Sequence, residues 1–343
     1  MLKYHCEVCR VNIPIADLEH RIKALLLNVG VNAENTEKVT DVYMRASYRE
    51  VGHHDIHDLL SRIGQIKEKA IKPNPVYKLL TDFGGIQCYD GDNALGELNS
   101  YFITEKSMEL AELHGIGYCT IRNSNHFLAA APFVEMADEK GFLTIVMSKS
   151  PGGLSLPGVD KNLTGNNPFG YAAGYNDGKL LFDICCAYSS FGKMQAMKDE
   201  GQLVPEYWGN DRNGQPSTKP EEILESGLYM PIGEHKGFGI ALLVELLSSV
   251  LGDGVLLNQE LKDSEMKGKY TQSALSIDIK KIMTVDKFKD RVQQMVDILR
   301  GIDPKIYIPG QRSIQAKAKI DELGYFQISD DLIGKMDLAL SEN

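Results

Sequence analysis

The periodicity of the chain changes at Lys72-Pro73-Asn74-Pro75, and no other feature restricts its fold as much. Two prolines so close together disfavour helix and mark a linker. Ahead of them the apolar residues follow helical spacing. Val11-Asn12-Ile13-Pro14-Ile15 reads as an extended lead-in. Leu18, Ile22, Leu25 and Leu26 then share one face of a helix expected over 15–29 and closed by Gly30. Asn32 is the expected N-cap of a second helix running to about Tyr48, with Val39, Val42 and Tyr43 inward. A third carries Leu59, Leu60, Ile63 and Ile66. Beyond the prolines, short apolar runs alternate with helical patterns. Strands are expected at 84–91 (ending in a turn), 118–122, 143–147, 180–186 and 274–279, and helices at 101–114, 130–140, 233–251, 285–299 and 330–340. A glycine- and proline-rich stretch at 150–174 and a polar loop at 202–231 separate them. The alternation implies a mixed α/β (α+β) class without internal repeats.

Composition excludes several partners. The 343 residues suggest two domains, and 43% apolar content suffices for a sizeable core. A net charge of −10 argues against nucleic acid or an anionic membrane surface as partner. The richest apolar run, 239–251, is broken by Glu245 and Ser248-Ser249, so no membrane span is expected. The opening Met-Leu-Lys-Tyr-His-Cys lacks the apolar core of a secretory signal. Four of the six cysteines, Cys88, Cys119, Cys185 and Cys186, sit in apolar runs as small core hydrophobes. Cys6 and Cys9 have the spacing of half a zinc site, with no second pair facing them. A reducing, cytoplasmic compartment is expected, and no metal.

No Gly-x-Gly-x-x-Gly follows a strand, so an ordinary Rossmann domain is not expected. Gly84-Gly85 and Gly152-Gly153 read as turns rather than phosphate cradles. Three polar constellations remain. Gly52-His53-His54-Asp55-Ile56-His57-Asp58 places histidines beside carboxylates, which suits general acid–base work or helix capping; metal binding is the weaker reading. Arg122-Asn123-Ser124-Asn125-His126 follows a buried strand, where ligand clefts open in α/β proteins. Gly233-Glu234-His235-Lys236-Gly237-Phe238-Gly239 opens a helix with donors, a cation and glycines, a credible anion or pyrophosphate site beside the plainer reading of a solvated helix start.

Several segments together resemble the malate/L-lactate dehydrogenase family, a non-Rossmann type that includes ureidoglycolate dehydrogenase, diketogulonate reductase and sulfolactate dehydrogenase. They are Arg122-Asn123-Ser124-Asn125-His126-Phe127, Thr164-Gly165-Asn166-Asn167-Pro168, Phe182-Asp183, Gly192-Lys193, His235-Lys236-Gly237-Phe238-Gly239-Ile240-Ala241-Leu242 and Pro309-Gly310. The resemblance implies a mixed, largely antiparallel sheet flanked by helices as the cofactor domain, 121–285. A helical substrate domain would come from both chain ends, 1–120 and 286–343. It further implies a homodimer, NAD (or NADP) as cofactor, and hydride exchange with a small 2-oxo/2-hydroxy acid. The acid/base candidates are His54, His57 and His126, and Asn125 is a substrate contact. Cofactor contacts would come from Ser148, Lys149, Thr164, Asn166, Asn167, Pro168, Asp183, Lys193, His235, Lys236, Gly237, Gly310 and Gln311.

The chain departs from the family pattern at Ser-His-Gly and the arginine that follows it. Counting from Arg49, the histidine falls on His54, but His53 and Asp55 replace the serine and glycine, and Asp58 stands at the arginine. A register shifted to His57 brings Arg62 within one residue of that place. An aspartate cannot make the bidentate arginine–carboxylate pair, so Arg49, Arg62 or Arg122 would have to serve. The departure keeps open an imine or sugar-acid substrate, or a cofactor-binding homologue without catalysis. Lys149 and Gln311 also replace the family's usual asparagine and glutamate.

Overall fold

The structure is a computed structural model that describes residues 10–259 and 270–341. Cys6, Cys9 and the opening six residues lie outside the described residues. The chain divides into two compact units, one of residues up to Asn74 and from Gly310 onward, the other Pro75–Pro309. The break at Asn74 falls inside the proline linker.

In chain order the strands are β1 (Arg10–Pro14), β2 (Lys78–Phe83), β3 (Ile86–Asp90), β4 (Ile116–Ser124), β5 (Phe142–Lys149), β6 (Gly153–Leu154), β7 (Thr164–Gly165), β8 (Phe169–Tyr175), β9 (Gly178–Ile184), β10 (Gly209–Asn210), β11 (Leu228–Tyr229), β12 (Tyr270–Asp278) and β13 (Tyr325–Ser329). The helices are α1 (Ile15–Asn28), α2 (Ala33–Ser47), α3 (Leu59–Lys67), α4 (Gly96–His114), α5 (Ala131–Glu139), α6 (Phe191–Asp199), α7 (Pro220–Ser226), α8 (His235–Glu245), α9 (Val285–Ile302), α10 (Gln311–Leu323) and α11 (Asp330–Ser341).

In the first unit the expected face of α1 is the buried one: Leu18, Ile22, Leu25 and Leu26 are enclosed. Each such burial stabilises by about 1.5–3 kcal/mol. Asn32 caps α2, its side chain accepting from the Asn35 N–H at 2.9 Å. β1 pairs antiparallel with β13, from Arg10 opposite Ser329 to Pro14 opposite Tyr325.

In the second unit a seven-stranded sheet runs β2-β3-β4-β12-β5-β8-β9. Only β3 and β4 pair parallel; every other neighbouring pair is antiparallel. The expectation of a mixed, largely antiparallel sheet flanked by helices holds. Helix α4 packs on β4 and β12, α5 on β5 and β8, and α9 on β8. Gly117 admits α4 to the sheet, since a Cβ there would stand 2.0 Å from the Ser107 carbonyl oxygen. A second sheet of two-residue strands runs β10-β11-β6-β7.

Several readings are corrected. The 150–174 stretch contains β6, β7 and β8, and the 202–231 loop contains β10, α7 and β11. Helix α4 begins five residues before Tyr101, and the apolar 233–251 segment is α-helical only to Glu245, then continues as a π-helical turn, Leu246–Val250. Residues 120 and 285, expected as domain limits, fall inside the second unit. The reason is pairing: β2 and β3 join the sheet of β4, and α9 covers β8.

Candidate active site

The sheet order brings three polar segments to one edge of the second unit. β4 and β5 both pair antiparallel with β12, so their C-terminal ends lie side by side at its start: Ser124 is opposite Tyr270, and Lys149 opposite Thr271. β8 begins beside the same end of β5, with Phe169 opposite Met147. The loop after β4, the Ser148-Lys149-Ser150 segment and the turn before β8 therefore converge. Strand ends are where open α/β sheets place ligands.

His126 lies just past β4. Its Nδ1 accepts the Leu128 N–H at 3.2 Å, so the neutral ring carries its proton on Nε2. The ring stands edge-on to Tyr270, with centroids 5.7 Å apart. Its neighbours are committed to structure. Asn125 Nδ2 donates to the carbonyls of Ala94 (2.7 Å) and Asn93 (3.3 Å) and to Asn93 Oδ1 (3.1 Å). Arg122 pairs with Asp253, whose carbonyl it also meets at 2.9 Å, and stands 3.5 Å from Asp90. Two acidic partners hold this guanidinium, which argues against Arg122 as the carboxylate clamp. Fully buried Gln272 on β12 donates to the Asn125 carbonyl at 2.8 Å and lies 3.4 Å from Ser148 Oγ, while its Oε1 has no partner among the described residues.

The β5 end and the 164–168 turn are laced together. Ser148 N donates to the Pro168 carbonyl at 2.9 Å. Ser150 N donates to Asn167 Oδ1 (3.1 Å), and Ser150 Oγ to Asn166 Oδ1 (2.7 Å). Asn167 is held at φ 38°, in the left-handed region that Asn tolerates. Lys149 is 0% exposed, an exceptional position for an ammonium.

Other expected cofactor residues lie in several settings. Asp183 accepts from the Ala130 and Ala131 N–H groups (3.4 and 3.0 Å), anchoring the start of α5. Lys193 Nζ stands 4.6 Å from the Trp208 ring centre. His235 and Lys236 are exposed at the start of α8, and Gly237 is required there because a Cβ would lie 2.3 Å from the Ile232 carbonyl oxygen.

The remaining candidates belong to the first unit. Asp55, nearly enclosed, accepts from Gly52 N (3.1 Å), His57 N (3.0 Å) and His57 Nδ1 (2.6 Å). His54, at φ 55°, has Nδ1 3.3 Å from Asp58 Oδ2. Arg49 and Arg62 are buried. Gly310, at φ 92°, precedes α10, which opens with Gln311. The hydrogen bond that His57 donates to Asp55 holds the His57 pKa above the ordinary imidazole range, whereas burial pushes His53 below it, with His54 adding to that effect.

A raised folded-state pKa fixes a sign. The stability His57 contributes is complete below its unfolded pKa of about 6.5 and is lost as pH rises through the higher folded value. Because its side chain is 43% exposed, screening keeps that contribution small. In Asp55→Asn, ring-proton NMR should show His57 titrating back toward about 6.5. Denaturation across this pH window should then show a flatter slope.

Solved structures share this architecture. Malate dehydrogenase from Entamoeba histolytica superposes with a TM-score of 0.90 at 24% identity, covering 97% of this chain and 98% of that one. Delta1-piperideine-2-carboxylate reductase from Pseudomonas syringae superposes at 0.86 with 22% identity, covering 96% and 99%. Fold and strand order together define a non-Rossmann α/β architecture. Residues 13–337 match the family described as Malate/L-lactate dehydrogenase, and the chain belongs to it. Curated relatives include malate dehydrogenase of Pyrococcus horikoshii, 28% identical over 85% of this chain and 83% of that protein. L-sulfolactate dehydrogenase of Methanocaldococcus jannaschii is 27% identical over 92% and 93%, and 2,3-diketo-L-gulonate reductase of Escherichia coli 23% over 85% and 88%.

Proposed function

We propose that this oxidoreductase exchanges hydride between NAD or NADP and a small 2-oxo/2-hydroxy acid, with His126 as acid/base. The observation that carries the reading is His126 itself: a half-buried imidazole at converging strand ends, its Nδ1 engaged by Leu128 N–H. In reduction the ring would supply a proton to the carbonyl oxygen from Nε2, and in oxidation recover it there. His54 and His57 are the alternative carriers.

The residues fit a nicotinamide nucleotide. Such a group supplies or accepts the hydride when bound. Gln272 Oε1 is a buried acceptor with no partner among the described residues, suited to an amide N–H. Exposed Lys236 and His235 suit phosphate at the α8 start. Ser148, Lys149, Thr164, Asn166, Asn167 and Pro168 would shape the pocket wall, and Gly237 the close approach; roles for Asp183, Lys193, Gly310 and Gln311 stay part of this reading. Arg49 or Arg62 is the remaining candidate for the substrate carboxylate.

NADH and NADPH oxidation against a panel of 2-oxo acids tests the reading. No turnover together with no nucleotide binding by calorimetry would sink it. A second reading follows from Asp55 and Asp58, carboxylates where the family places glycine and arginine: the substrate is then a cyclic imine, as the name of the Pseudomonas reductase indicates for that protein, or a sugar acid. Including both in the panel separates the two.

The homodimer belongs to the same proposal. Ile240, Leu243, Leu246, Val250 and Leu251 stay exposed as apolar residues on α8, its π turn and the residue that follows, the kind of surface a second copy would cover. Sedimentation equilibrium is expected to give twice the chain mass. No helix among the described residues is long and apolar enough to cross a membrane.

A further inference from the structure

Glu245 closes α8 and is 3% exposed. Among the described residues its carboxylate meets no cation: Oε1 accepts from Thr164 Oγ1 at 2.6 Å, and Oε2 from Leu257 N at 3.4 Å. A carboxylate buried without a counter-charge is costly, and the cost is tolerated where its hydrogen bonds hold something in place. Here the object held is the 164–168 turn. One helical turn before Glu245, the Ala241 carbonyl accepts from Asn167 Nδ2 at 2.9 Å, and the same Nδ2 reaches Thr164 Oγ1 at 3.2 Å. Helix α8 thus presents two acceptors on one face, and together they grip both ends of the Thr164-Gly165-Asn166-Asn167 turn.

The grip is rigid at its base. Directly after Glu245 the helix widens into the π turn, whose carbonyls are claimed by the sheet. Tyr118 OH donates to the Leu247 carbonyl, Thr120 Oγ1 to that of Ser248 at 3.3 Å, and Ser248 Oγ lies 2.9 Å from Ser273 Oγ. Side chains that insert into a helical ladder in this way fix its local geometry. At the other side, Asn167 Oδ1 takes the Ser150 N–H, passing the register on to the end of β5. These bonds also hold Asn167 in its left-handed conformation (φ 38°).

We propose that Glu245 is a positioning residue for the 164–168 turn, and that affinity for nicotinamide nucleotide depends on its carboxylate acting through Thr164. The inference rests on the cofactor reading above. In this reading Glu245, 3% exposed and bonded to Thr164, acts by setting where Asn166 and Asn167 stand.

The test measures NADH and NADPH binding by calorimetry, and KM against kcat, for Glu245→Gln, Glu245→Ala, Thr164→Val and Thr164→Ser. Thr164→Val removes the hydroxyl that bonds the carboxylate, and Glu245→Gln keeps one neutral acceptor but turns an amide donor toward Leu257 N in place of the other; about tenfold weaker nucleotide binding is predicted for each, with KM rising more than kcat falls. Thr164→Ser, which keeps the hydroxyl, should lose less than Thr164→Val. The double variant Glu245→Gln/Thr164→Val should lose no more than the worse single one, the signature of two residues acting as one unit. Thermal melts identify any variant that fails to fold; should Glu245→Ala do so, Glu245→Gln and Thr164→Val decide. Parent binding with variants within twofold of it, or strictly additive losses, overturns the positioning role alone. No binding by the parent overturns the cofactor reading and this inference with it.

Discussion

His126→Ala is expected to lower kcat by about two to four orders of magnitude, the usual contribution of a positioned general acid–base. The folded state should hardly notice. The ring is half-buried, its Nδ1 accepts from Leu128 N–H, and the loop is held independently by Asn125 and Gln272. Steady-state kinetics beside a thermal melt therefore separates the chemical role from a structural one. Loss of one limb of the pH–rate profile in His126→Ala would show that the missing group was the one titrating. Turnover within threefold of the parent would move the acid–base role to His54 or His57.

Gly96→Ala has the largest expected effect on stability. A Cβ at Gly96 would stand 2.0 Å from the Asn125 carbonyl oxygen and 2.4 Å from the His126 carbonyl carbon and oxygen, all backbone atoms. Flexible side-chain ends can yield to such a contact; backbone cannot without moving the loop. Overpacking costs about 1–3 kcal/mol, and this contact belongs at the upper end or beyond. Activity should fall with it, because the displaced residues carry the proposed acid/base. Gly115→Ala is the control. Gly115 has φ 84° but nothing within 4 Å of the added atom, so it meets only the left-handed penalty of about 1–2 kcal/mol. Its loss of stability should come without loss of turnover per folded molecule. Equal effects of the two substitutions on kcat would remove the argument for close packing under His126.

What was legible in the sequence followed from periodicity and from capping. Leu18, Ile22, Leu25 and Leu26 repeat at helical spacing, and Asn32 has one local partner, so α1 and α2 are readable without tertiary information. Strand β8 is not: Phe-Gly-Tyr-Ala-Ala-Gly-Tyr looks like a glycine-rich loop. Gly170 is small because a Cβ would meet the Phe182 carbonyl oxygen at 2.6 Å across the ladder, a contact made only once the sheet exists. Helix α10 buries only Ile320, which leaves little apolar stripe to detect. At the site, the strand-end position of His126 could be read from one buried strand and the polar run after it. The commitment of Arg122 to Asp253 and Asp90 could not, since those partners are far along the chain. Glu245 read only as an interruption of an apolar run; its pairing with Thr164 spans 81 residues and had no local signal.

The pairing of β1 with β13 sets an order on biosynthesis. Arg10 meets Ser329, so β1 waits for a strand synthesised well after it. The intervening Pro75–Pro309 segment holds all the partners of its own sheets and can complete them while the ribosome is still at work. The early helices α1–α3 meanwhile emerge without β13 and α11, their apolar faces open to water and to chaperones. Chains stalled before Tyr325 should accordingly yield a protease-resistant middle segment and a labile amino-terminal one.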